Sequence, residues 1–187
     1  MSRTVFEYGE PARFVVGTVG MPGERTFYLQ VLSGAEVTSV VVEKGQAEAL
    51  AERIDALLDE VAATTDEPIP AAGAQDGVDN APLDLPVVEE FRVGAMALGW
   101  DQSTARVVVE AYAFVEDEEA PVPDLGDDET SGPDTLRVWL TAAAARAFAA
   151  RSRQVVAAGR PQCPFCNGPL DPAGHICPRA NGFRRRS

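Results

Sequence analysis

Twice along the chain, three short runs of alternating or branched apolar residues are followed by one stretch of helical period, and this order limits the fold more than any other feature. The first set covers residues 13–20, 25–32 and 37–42, rich in Val, Phe, Thr and Tyr. In the stretch that follows, 46–63, Ala49, Leu50, Ile54, Leu57, Leu58 and Val61 recur at three- and four-residue steps. Met21-Pro22-Gly23-Glu24 and Ser33-Gly34-Ala35-Glu36 are hairpin-sized connections, the first with Pro and Gly in type II order, so the three strands are predicted to be antiparallel. The second set covers 91–98, a turn through 99–104, 105–115 and 136–140, followed by an alanine-rich helix over 141–157 with Thr141 as its N-cap. Phe14-Val-Val-Gly17 and Phe91-Arg-Val-Gly94 fall at matching places in the two sets. One three-stranded sheet with one helix buries little apolar surface, whereas two copies can share a core. The expected fold is therefore α+β, with tandem duplicated βββα units, a mainly antiparallel sheet and a C-terminal zinc knuckle.

This reading divides the chain into a first half at 1–63, a flexible linker at 64–89, a second half at 90–159 and a zinc-knuckle tail at 160–187. The linker is rich in Ala, Pro, Gly and Asp over 64–86. The second half carries an acidic loop at 116–133, with eight acids at Glu116, Asp117, Glu118, Glu119, Asp124, Asp127, Asp128 and Glu129. That loop lacks the glycine-centred spacing of a calcium loop and reads as a solvated charge run. No apolar run approaches the roughly 20 residues of a spanning helix, and the first residues lack the apolar core of a signal peptide, so a cytoplasmic protein is expected.

Net charge is −13, unevenly spread. Residues 160–187 carry Arg160, Arg179, Arg184, Arg185 and Arg186 against Asp171 alone, which leaves the preceding residues 11 basic and 28 acidic side chains, a net of −17. A body this acidic repels nucleic acid and anionic membrane.

All three cysteines and the sole histidine lie within fifteen residues, as Cys163, Cys166, His175 and Cys177. The CxxC spacing lets two thiolates face one metal, while Pro169, Pro172 and Gly174 can turn the chain back to deliver the other pair. Four such ligands suit tetrahedral Zn²⁺ and leave no open position, so the site is expected to be structural. A disulfide would strand an odd thiol. A redox CxxC remains the competing reading, although Pro-rich chain surrounds these cysteines where a strand-to-helix junction would be expected.

Other signals are weaker. Gly17-Thr-Val-Gly20 with Gly23 opens no helix and is explained by a hairpin rather than a phosphate loop. With the only histidine assigned to metal, a Ser-His-Asp or Cys-His centre has no base.

The run over 13–30, Arg13-Phe-Val-Val-Gly-Thr-Val-Gly-Met-Pro-Gly-Glu-Arg-Thr-Phe-Tyr-Leu-Gln30, carries a resemblance together with Cys163-Pro-Phe-Cys166 and His175-Ile-Cys-Pro-Arg-Ala-Asn-Gly182. Across nearly its whole length the chain resembles an actinobacterial family known as domain of unknown function 3090. Members of that family are often encoded near a kinase-like and a histidine-phosphatase-like protein, so the resemblance implies phosphate-linked metabolism or a shared complex, by association only.

Three functional readings follow. The leading one is a non-catalytic cytosolic module that binds a protein partner or small ligand through its sheet face or acidic loops. The second is an enzyme acting on a phosphorylated or nucleotide substrate with carboxylates and Mg²⁺, for which a pocket of paired carboxylates and an arginine such as Arg25 or Arg92 would speak. The third is nucleic-acid binding through Arg184, Arg185 and Arg186, which predicts steeply salt-dependent affinity.

Overall fold

Strand-forming residues in the first half build β1 (Val5–Gly9), β2 (Arg13–Val19), β3 (Thr26–Ser33) and β4 (Glu36–Val42), followed by α1 (Lys44–Thr64). The second half builds β5 (Glu89–Asp101), β6 (Arg106–Ala113) and β7 (Thr135–Leu140), followed by α2 (Ala142–Ala157). The structure, a computed structural model, describes residues 3–21, 23–73, 77–116 and 123–158, together with Cys163, Phe165, Cys166 and Cys177. The fold is α+β, and one seven-stranded sheet runs in the order β1-β7-β6-β5-β4-β3-β2. Each half forms an antiparallel three-stranded meander, but the join between β4 and β5 is parallel, as is the pairing of β1 with β7. The sheet is thus mixed, and β1 is a strand the alternation pattern did not reveal. Its five residues are too few to set a period, and its partner lies at the far end of the chain.

The second hairpin is also tighter than the run lengths predicted. Asp101 ends β5, and its carboxylate accepts the Ser103 N–H at 2.8 Å and the Ser103 and Thr104 hydroxyls at 2.7 Å. These bonds hold its carboxyl down at about 2. Ala105 closes the turn at φ 53°, a left-handed conformation uncommon for a non-glycine residue.

Strand alternation sorts the sheet into two faces. Phe14, Val16, Leu29, Val31, Val40, Val42, Val107, Val109, Leu136 and Val138 point to one side, where they pack with Leu50, Ile54 and Leu58 of α1 and Phe148 of α2. The Phe14 and Phe148 rings stack at 4.6 Å. The sheet is curled, because the Tyr8 hydroxyl on β1 lies 2.6 Å from the Thr38 hydroxyl on β4 although β7, β6 and β5 separate the two strands. The helices approach closely through Ala47, Ala51, Ala145 and Ala149, and the Ser152 hydroxyl donates to the Ala47 carbonyl at 3.2 Å. Thr141 caps α2 by accepting the Ala144 N–H at 3.1 Å. Buried Arg146 ties α2 to α1 through Asp55 and Asp59 and to the chain beyond α1 through the Pro70 carbonyl. Among the described residues no helix is long and apolar enough to cross a membrane.

The opposite face is covered by chain from the stretches between elements. Residues 79–84, within the segment expected to be a linker, are held along edge strand β2 by two arginines. Arg13 bonds Asp79, Asp84 and the Ala81 and Pro82 carbonyls, while Arg151 of α2 bonds the Val16 carbonyl of β2 at 2.7 Å and the Asp79 and Ala81 carbonyls. Gln30 and Asp84 exchange reciprocal bonds at 3.1 and 2.7 Å. Leu83 sits directly over Gly17, where an added Cβ would fall 2.4 Å from the leucine side chain. Gly17→Ala is therefore expected to lift this strap, at a cost of about 1–3 kcal/mol. Limited proteolysis should then cut within 77–88 at protease levels that leave the parent chain intact.

Candidate metal centre

A CxxC turn places two thiols on one side of a short bend, and Cys177 completes a cluster whose three sulfurs lie within 4.8 Å of one another. Cys163 and Cys177 are buried, at 3% and 6% exposure, and no disulfide joins any of the three. The Cys163 and Cys177 sulfurs are 3.7 Å apart. Sulfurs bound at roughly 2.3 Å to a tetrahedral ion lie about 3.8 Å from each other, whereas a disulfide would bring them to about 2.0 Å. The three cysteines are thus close enough to hold a metal ion together. His175, the fourth expected ligand, lies outside the described residues, as do Arg179, Arg184, Arg185 and Arg186.

The bend prepares Cys163 as a thiolate. The Phe165 backbone N–H donates to its sulfur, and the Cys166 N–H and the Cys177 and Cys166 thiols add to the effect, lowering the thiol from 9.0 to about 6. A thiol whose folded value is depressed contributes stability that is complete above its unfolded value and is lost as pH falls through the folded one. Because the ion takes the thiolate form only, its apparent affinity should weaken as pH falls and protons compete for the sulfurs, Cys163 resisting protonation better than an ordinary thiol. The change can be followed by competition with a chromogenic chelator, and an affinity that does not weaken between about pH 8 and pH 5 would contradict this electrostatic account.

A second polar constellation lies on the outer face of the sheet and was not singled out from sequence. Its signal was a charged residue in the middle of an otherwise apolar strand, Glu110 in β6 and Arg137 in β7. Glu110 is fully buried and pairs with the Arg137 guanidinium across the strand register. It also accepts the Tyr112 hydroxyl and the Gly126 N–H, while Arg137 reaches Asp128 at 2.6 Å and the Asp127 carbonyl at 2.7 Å. Burial, with Glu110 alongside, pushes the Tyr112 phenol well above its ordinary value. Arg3 enters from before β1 and bonds Thr135 and the Asp127 and Glu129 carbonyls. The described part of the acidic loop is thereby fixed onto the sheet by two buried arginines.

The cavities formed by the described residues include three of note. One, of about 290 Å³, lies between the first turns of α1 and residues 94–98 of β5. Another, of about 130 Å³, lies between β2 and α2 beside Arg13 and Arg151, both already paired with Asp79. The third is an open trough of about 410 Å³ at Glu7, Gly9, Glu10, Thr104, Arg106 and Trp139. Neither Arg25 nor Arg92 lines any of the three. Arg92 pairs with Glu43 at the surface, and Arg25 lies over the Phe27 ring at 5.4 Å.

The model of a family described as "Protein of unknown function (DUF3090)" matches residues 6–177, from β1 through the last cysteine. No curated protein and no solved structure matches the chain. The chain belongs to this family.

Proposed function

We propose that the chain is a non-catalytic binding module stapled by one structural Zn²⁺, held by Cys163, Cys166 and Cys177 with His175 as fourth ligand. The observation that carries this reading is the sulfur cluster itself: three thiols within 4.8 Å of one another, Cys163 and Cys177 at the 3.7 Å of a tetrahedral pair, none disulfide-bonded, with backbone N–H groups donating to Cys163. Three soft ligands and a nearby histidine favour zinc over harder ions, and a filled set of four leaves no place for a reacting water. Such thiolates persist in a reducing compartment, and we place the protein in the cytoplasm. The two βββα halves, each an antiparallel meander feeding a helix, support reading them as tandem copies. The partner is a protein or small ligand rather than nucleic acid or membrane, because the body preceding the tail is strongly acidic.

Elemental analysis with native mass spectrometry, on protein purified without added metal, tests this proposal. About one zinc per chain is expected. Absence of zinc with oxidisable thiols would overturn it, and a co-purifying nucleotide or phosphorylated metabolite would turn the reading to an enzyme.

A further inference from the structure

The two edges of the sheet differ. At β2, Arg151 occupies the Val16 carbonyl and the 79–84 strap runs alongside. At β1, the Arg3 N–H just before the strand donates to the Thr130 carbonyl at 3.0 Å, but along Val5–Gly9 the described residues offer no such cover. Two bonds fix which residues of β1 face β7: the Thr135 N–H donates to the Thr4 carbonyl at 2.8 Å, and the Glu10 N–H to the Trp139 carbonyl at 3.2 Å. In a parallel ladder only alternate residues turn their backbone groups toward a given neighbour. The even-numbered residues of β1 therefore serve β7, and Val5, Glu7 and Gly9 direct N–H and C=O groups outward. Glu7 and Gly9 are exposed, and a Cβ at Gly9 would meet nothing within 4 Å.

The open trough lies against this edge. Trp139 pairs with Gly9 in the register, so its indole stands beside the space above that glycine, with Glu7 and Glu10 on the rim. Arg137 and Arg106 are outnumbered here by Glu7, Glu10, Glu110 and Asp128, which pair with them. Arg137 already rests 5.8 Å from the indole centre, so the ring is used as a cation surface within the fold itself.

We propose that the β1 edge and this trough form a docking site for an extended basic segment of a partner protein, which adds as an eighth strand and lays an arginine or lysine over Trp139 between Glu7 and Glu10. Backbone pairing supplies affinity and the acid-rimmed indole selects the side chain. The site names the surface and partner chemistry of the binding-module reading and rests on it.

The test is a titration of the zinc-loaded full chain with a blocked peptide of alternating arginine and threonine, followed by amide and indole resonances. A peptide of alternating glutamate and threonine is the control. The arginine peptide is expected to bind and to shift the Val5, Glu7 and Gly9 amides and the Trp139 indole N–H. Val5→Pro removes one outward donor without touching the ladder to β7, and Glu7→Gln removes one rim charge; each should weaken binding about tenfold. Glu52→Gln, an equal charge change on the exposed face of α1, should leave binding within about twofold. Binding that is absent, or weakened no more by Val5→Pro and Glu7→Gln than by Glu52→Gln, would overturn the proposal. So would dimerisation through β1, or Glu7 and Gly9 amides already protected from exchange in the free chain, because another occupant then holds the edge. Either failure in protein that retains its zinc leaves the metal reading standing, whereas loss of that reading shows first in the metal count.

Discussion

Arg137→Met is expected to destabilise the protein by about 3–5 kcal/mol, the usual cost of leaving a buried charge without its partner. For a chain of this length that corresponds to a fall in Tm of roughly 6–20 °C. Glu110, fully buried on β6, keeps the Tyr112 hydroxyl and the Gly126 N–H but loses the one cation that pairs with it among the described residues. The acidic loop loses its bonds from Arg137 to Asp127 and Asp128 at the same time. Replacing both residues, as Glu110→Met with Arg137→Met, removes the stranded charge and should recover most of the loss, because well-packed apolar pairs commonly equal a buried ion pair in stability. Thermal and urea melts of the two single variants and the double variant measure the coupling directly. A single Arg137→Met variant within about 1 kcal/mol of the parent would mean that Glu110 finds another partner or water, and would remove this pair from the account.

Cys163→Ser is expected to lower metal content from about one ion per chain to near zero and to cost about 3 kcal/mol, a Tm fall of roughly 6–12 °C. The Cys163 sulfur accepts backbone N–H donors and lies 3.7 Å from that of Cys177, so its loss removes a prepared thiolate and one corner of the cluster. Serine preserves size but is a poor ligand for a soft site. Chelation of the parent chain should produce a matching loss of stability, and chelation of the variant no further loss. If metal leaves and the melting temperature does not move, the ion is not structural, and the redox reading of Cys163 and Cys166 regains its place.

The helices and six strands were legible because each rests on local signals. The period through Leu50, Ile54 and Leu58 declares α1, Thr141 caps α2, and short runs of branched and aromatic residues bounded by turns mark β2 to β7, several of them buried on both faces. What escaped depends on distant partners. β1 exists because Thr135 and Trp139 offer it backbone groups, and nothing within Val5–Gly9 announces that pairing. The parallel join of β4 to β5 is likewise a property of the assembled sheet. The strap over β2 was hidden by its composition, since Ala, Pro, Gly and Asp read as linker, while what holds it is Arg13 and Arg151 from elsewhere. The cysteine cluster was the reverse case. Its members lie within fifteen residues, so sequence spacing alone pointed to them, and the fold brings Cys163, Cys166 and Cys177 close enough to hold a metal ion, while His175 lies outside the described residues. The Glu110–Arg137 pair left only a faint mark, one charge in each of two apolar strands, whose meaning appears when the register sets them opposite each other.

The proposed site holds one zinc through three sulfurs and one imidazole nitrogen. X-ray absorption at the zinc edge, on protein purified without added metal, reads that shell. A single four-coordinate shell of three sulfurs at about 2.3 Å and one nitrogen at about 2.0 Å is expected. A shell with fewer than three sulfurs, an open position filled by water, or protein that carries no zinc would contradict it.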